Sequence, residues 1–201
     1  MGKFKRVPAD VPVSELNPLN ITCGSTKCED NLHCFKTSER AGKKFGSHGV
    51  CKECGISLID WKRVHQNNIK DANFIFNSMK NELIRHVYWH TPIETKAIEI
   101  ALQSGKTELR IHSKKILKSK IGSSHNAWDG RQTPMTGNEI VNYAQHATAT
   151  CCRKCLEYWH NIKKESELTD EQLQFCSDLV MLYIEERVPN LTDEKQEVKA
   201  N

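Results

Sequence analysis

The chain has 201 residues, enough for one domain with an apolar core or for two small ones. With 38% hydrophobic and 27% charged residues it is polar but foldable, and no run approaches the roughly 18 apolar residues of a membrane helix. A formal charge of +4 is too small to identify a nucleic-acid partner, because thiolates on a metal would lower it further.

Residues 1–20 carry several prolines and asparagines and read as an extended arm. Pro8 and Pro12 interrupt the stretch behind the basic start, so no signal peptide is expected and the cytoplasm is the default compartment. Residues 21–58 show no helical stripe. Their glycines and cysteines predict a small module of loops and short strands, stabilised by zinc because it has little apolar core of its own. Residues 59–190 predict a helical domain, and 191–201 a flexible polar tail. The fold class is therefore mainly α, with the N-terminal loop and strand module either separate or integrated into one unit.

Within the helical part, Asp60 is placed to cap a helix beginning near Trp61. Ala72, Phe76, Met79, Leu83 and Val87 recur at intervals of three and four, predicting a helix over about 70–90. Thr91, Pro92 and Glu94 suggest an N-cap, first position and capping box for a helix over 92–103 that ends at Gly105. A basic helix should then fill 107–120. Residues 122–138 form a connection too long for a passive loop. A short helix is expected from Glu139 toward Gln145, and a final one from Thr169, with Gln172 completing a capping box and Pro189 marking its end.

Nine cysteines, five between Cys23 and Cys54 and three between Cys151 and Cys155, are too clustered for a disulfide framework. Cys51-x-x-Cys54 can grip one ion from a tight turn, with Gly55 turning the chain away at positive φ. Cys28 and Cys34 are the expected remaining ligands, and Cys23 and His33 are alternatives to them. The second group is expected to be His146, Cys152, Cys155 and His160, with Cys151 in reserve. On a continuous helix at about 100° per residue, His160 lies about 140° from Cys155, so it can share an ion only if the helix ends or bends. The cofactor is accordingly one or two zinc ions, in two sites or one composite site. Cys176, alone on an apolar helical face, reads as a core thiol, and Met79 and Met181 as core side chains.

The stretches Arg85-His86-Val87-Tyr88-Trp89-His90, Asp129-Gly130-Arg131-Gln132-Thr133-Pro134 and Tyr143 through Cys155 resemble those of an uncharacterised family of small bacterial Cys/His-rich proteins. The resemblance runs from about Asn31 to Pro189 and brings no activity with it. It implies one integrated domain and a polar stretch at 125–134 that belongs to a shared core site.

For function, the leading expectation is a zinc-binding protein that binds DNA or RNA through Lys106, Arg110, Lys114, Lys115, Lys118 and Lys120, with Arg131 and the N-terminal Lys3, Lys5 and Arg6 extending the surface. Trp61, Trp128 and Trp159 are candidate stacking residues. One alternative is a metal-dependent hydrolase or nuclease using His86, His90, His125 and Asp129, with Arg131 stabilising phosphoryl charge. The other is a zinc-stabilised scaffold that binds protein.

Overall fold

The computed structural model describes residues 21–36, 44–46, 48–124 and 133–196. Among them are seven α-helices: α1 (Trp61–Val64), α2 (Ala72–Met79), α3 (Leu83–His90), α4 (Thr95–Ile121), α5 (Ile140–Ala147), α6 (Arg153–His160) and α7 (Asp170–Arg187). The expected short strands are not present among the described residues. Two isolated bridges stand in their place, an antiparallel one between Lys27 and Leu32 and a parallel one between His33 and Glu82. None of these helices is long and apolar enough to cross a membrane.

The helix starts follow local chemistry. Asp60 accepts a hydrogen bond from the Arg63 amide, Glu139 from the Val141 amide, and Thr169 forms a full capping box with Gln172. The boundary after α3 differs from the expected one. Residues 91–94 are not helical, and Glu94 is the N-cap of α4. Thr91 is extended, and its carbonyl accepts a hydrogen bond from Arg187 Nη2 at 2.7 Å. Arg187 Nη1 also reaches the Tyr88 and Trp89 carbonyls, so one side chain of α7 satisfies the open end of α3.

The expected helix over 70–90 is in fact two. It breaks between Met79 and Leu83 because the backbone there pairs with His33: the His33 amide donates to Asn81 O (2.8 Å) and the Leu83 amide to His33 O (2.9 Å). α4 in turn is kinked at Gly105, whose φ of 73° leaves the helical region. The freed Lys106 amide donates to Thr192 O at 2.8 Å, and the Gln196 amide to Leu102 O at 3.1 Å. Residues 191–196 thus lie against α4, and Leu191 is buried.

α5 packs on both α3 and α7, with α4 against α5 and α7. Seven of the eight residues of α3 are buried, so it runs through the interior. The apolar core joins Phe35, Cys51 and Ile59 of the N-terminal segment to the helices in one cluster. Cys176, Met79 and Met181 are core side chains with no exposed surface.

Candidate metal centres

All nine cysteines are free thiols, and two groups of them converge. Cys28, His33, Cys51 and Cys54 offer ligand atoms that all lie within 4.8 Å of one another. The first half is a tight turn: a 3-10 turn over Cys28–Asp30 ends at Asn31 in the left-handed region, and the Lys27–Leu32 bridge closes it. The second half is the Cys51–Cys54 turn, closed by the Gly55 amide on Cys51 O and by the Cys51 amide on Ile56 O, both 2.9 Å. Gly55 has a φ of 75°, as the turn requires.

The geometry of this group fits one tetrahedral ion. Cys28 Sγ and Cys51 Sγ are 3.8 Å apart, and Cys54 Sγ and His33 Nδ1 are 3.6 Å apart. With metal–sulfur bonds of about 2.3 Å and a metal–nitrogen bond of about 2.1 Å, tetrahedral edges come to about 3.8 Å and about 3.6 Å. The electrostatics agree. Burial opposes the Cys51 thiolate, but hydrogen bonds from His33 and from the surrounding amides bring its pKa down to about 5. Burial, then the neighbouring Cys54 and Cys51, push Cys28 up to about 12. Thiols that suppress one another's ionisation in this way are relieved by a divalent cation.

The second group lies where α5 turns into α6. Cys151 and Cys152 precede the first turn of α6, with Cys152 as its N-cap, and Cys155 lies within that turn. These three sulfurs also lie within 4.8 Å of one another, and all three residues are buried. Cys23, from the N-terminal segment, interacts with the thiols of Cys151 and Cys155. Three buried sulfurs therefore converge, with Cys23 of the N-terminal segment interacting with two of them. Hydrogen bonds from Cys151, Cys152 and Cys23, then the charge of Arg85, hold Cys155 well below the usual thiol range.

Arg85 is the residue that sequence reasoning missed. Its guanidinium is buried, with Nη2 3.0 Å from Cys155 Sγ and Nη1 3.7 Å from Cys151 Sγ. Nη1 also donates to the His146 carbonyl, and Nε pairs with Glu82 at 3.2 Å. Glu82 in turn accepts from Trp159 Nε1 at 2.8 Å. Burial works against the charge on Arg85, and Cys155, Cys151 and Glu82 overcome it. The available signal was the company it keeps: Leu83, Ile84, Val87, Tyr88 and Trp89 surround the helix with apolar surface, so a cation among them must be buried and paired.

The structure separates other expected ligands from these groups. Cys34 turns away from the first group and donates to Cys23 O at 3.2 Å. His146 stacks on Tyr88 with ring centres 4.6 Å apart, and its Nε2 lies 3.0 Å from Pro134 O. His160 ends an unbroken α6 and is therefore carried away from Cys155, with Nε2 3.0 Å from Thr148 O. His33 and Cys151, the alternatives, take the vacated places, and Cys23 falls beside the second group rather than the first.

The hydrolase residues are only partly described: His125, Asp129 and Arg131 lie outside the described residues, as does Trp128. His86 and His90 stack on each other at 4.0 Å, and His90 Nδ1 lies 2.7 Å from the His86 carbonyl. Burial, then the neighbouring His90, lowers His86 to about 4.

The basic run of α4 is largely taken up by contacts within the fold. Lys106 pairs with Glu185 (3.2 Å), Arg110 with Asp178 (2.6 Å), Lys114 with Gln174 (3.0 Å) and Lys120 with Asn142 (2.9 Å). Lys115 and Lys118 face solvent.

Residues 73–185 match the family model described as a domain of unknown function (DUF4186), and no solved structure matches the chain. The matched span holds Glu82, Arg85 and the Cys151–Cys155 group. Cys23 and the Cys28–Cys54 group lie N-terminal to it.

Proposed function

The chain belongs to the DUF4186 family, and we propose that it is a two-zinc protein whose fold closes on both ions. One ion is held by Cys28, His33, Cys51 and Cys54, the other by Cys23, Cys151, Cys152 and Cys155. The observation that carries this reading is the pair of ligand separations in the first group, 3.8 Å between sulfurs and 3.6 Å from sulfur to imidazole nitrogen. They match a mononuclear tetrahedron made of the donors zinc prefers. A multi-iron cluster would place further metal and sulfide between the thiolates and spread them apart.

With Cys23 completing the second set, each ion would have four protein ligands and no open position, as a structural rather than a catalytic site does. The second site would carry excess negative charge, and Arg85 sits where it offsets part of it. Thiol ligation of this kind suits a reducing compartment such as the cytoplasm. A nucleic-acid role for the α4 run draws little support, because four of its six cations already have partners in the fold.

The test is metal content. Protein purified under reducing conditions should contain two zinc ions per chain. Cys51→Ser should lose one and Cys155→Ser the other. After cobalt substitution, the sulfur-to-metal charge-transfer band should fall more in C155S, which loses the all-thiolate set, than in C51S. A metal-free protein that folds cooperatively in strong chelator would overturn the reading.

A further inference from the structure

A cleft of about 600 Å³ opens between the turn at His48–Gly49, helix α1 and the C-terminal half of α6. That volume lies in the range that encloses a small organic ligand. Among the described residues Lys36, Lys154, Lys163 and Lys164 line it together with the carboxylate Glu157; Lys164 stands 4.0 Å from Glu157 and 3.9 Å from Glu165. Among the described lining residues four lysines stand against one carboxylate, a cationic balance that favours an anionic ligand. It does not depend on the metal assignment, since none of its lining residues belongs to either thiol group.

The other lining is aromatic. Trp61 and Tyr158 face the cleft with ring centres 5.1 Å apart. Trp61 is held in place by its indole N–H, which donates to Gly49 O at 2.8 Å, and by Trp159 and His65 at 5.1 Å and 5.4 Å. Trp61 is half-buried and fixed on several sides, so the ring surface with which it lines the cleft would lose little entropy on contact with a base.

We propose that this cleft binds a nucleotide, with the base on the Trp61–Tyr158 surface and phosphate oxygens among the lysines. Neither half of that chemistry accounts for the lining alone: an inorganic anion would leave the aromatic wall unused, and an apolar ligand would leave the lysines unused. The same unit, a base joined to phosphate, occurs in free mononucleotides and in single-stranded nucleic acid.

The test is titration of the full-length protein at low salt, followed by calorimetry. The probes are adenosine 5′-triphosphate, a short oligothymidylate, ribose 5-phosphate and adenosine. Saturable binding of the triphosphate or the oligonucleotide, with ribose 5-phosphate and adenosine at least about tenfold weaker, is the expected result. Preference for the oligonucleotide, with a steep salt dependence, identifies the single strand as the source; preference for the triphosphate identifies the free nucleotide. Lys163→Glu should weaken binding about tenfold, the effect of losing one charge-assisted contact. Lys96→Glu, in the first turn of α4 and away from the cleft, should leave it unchanged. The proposal is overturned if neither the triphosphate nor the oligonucleotide saturates, if ribose 5-phosphate binds as tightly as the nucleotide, or if K96E and K163E weaken binding equally.

Discussion

Arg85 Nη2 lies 3.0 Å from Cys155 Sγ in a part of the protein with no access to solvent. Arginine stays protonated in any protein interior, so its burial demands fixed negative charge close by. Glu82 provides one such charge and the thiolates the other. Arg85 thus links the second cysteine group to Glu82, and Glu82 lies in the backbone bridge to His33 of the first group.

Removing the guanidinium should therefore do more than delete a contact. Arg85→Met would leave Glu82 buried without its ion pair and would expose the thiolates' charge to an apolar surrounding. Breaking one side of such a pair costs about 3–5 kcal/mol. The denaturant midpoint of R85M should fall accordingly, and its zinc content should drop toward one ion per chain. Arg85→Lys keeps the charge but not the fork that reaches Glu82 and both sulfurs, so it should recover only part of the loss. Full zinc content and an unchanged midpoint in R85M would remove Arg85 from the metal centre.

If both groups hold zinc as proposed, the two ions should leave at different rates. Cys54 is exposed at the edge of the first group, whereas Cys151, Cys152 and Cys155 are buried. A chromogenic chelator should take the first zinc quickly and the second only as the protein opens. Because binding energy at a structural zinc site is folding energy, on the order of 10 kcal/mol in isolated modules, the second phase should coincide with loss of helical circular dichroism. Release in one fast phase, with the helices intact, would contradict this.

Gly105 offers a check on how the C-terminal segment is held. A Cβ there would stand 2.8 Å from Asp193 O and 2.9 Å from the Glu194 carbonyl, on a backbone with φ of 73°. Gly105→Ala should cost about 1–3 kcal/mol from strain and from displacing residues 191–196. A lower melting temperature together with faster proteolysis near Leu191 is the expected pair of results. Loss of stability without new cleavage would place the damage within α4 itself.

What could be read from the sequence was local. The Thr169–Gln172 cap, the break at Gly105 and the Cys51–Cys54 turn each depend on neighbours a few residues away, and each forms where the sequence predicts it. The helical angle between Cys155 and His160 also gave the right condition, since α6 does not bend and His160 is carried away. The partners of distant segments were not legible. Nothing in the spacing tells Cys23 to meet Cys151 and Cys155 rather than Cys51, because loop closure over such lengths is decided by how the segments dock. The break at residues 80–82 has the same origin: its cause is His33, which no periodicity within 70–90 contains.

His160 supplies a pH test separate from the metal. Its Nε2 is 3.0 Å from the Thr148 carbonyl, so this nitrogen carries the proton and donates it, while the buried Nδ1 has no hydrogen-bond partner. Burial, opposed by the Thr148 carbonyl and reinforced by the charge of Arg85, lowers the imidazole to about 4. The unfolded chain titrates near 6.5. Between those values the unfolded state binds a proton that the folded state does not, so stability falls as pH falls through the window and is fully present above it. His160→Gln keeps an N–H for Thr148 but cannot titrate. The metal ligands protonate in both proteins, so the difference between their stability curves isolates His160. That difference should have the slope of one proton between pH 6.5 and 4, the wild type losing more stability; parallel curves would mean that His160 protonates freely in the folded state.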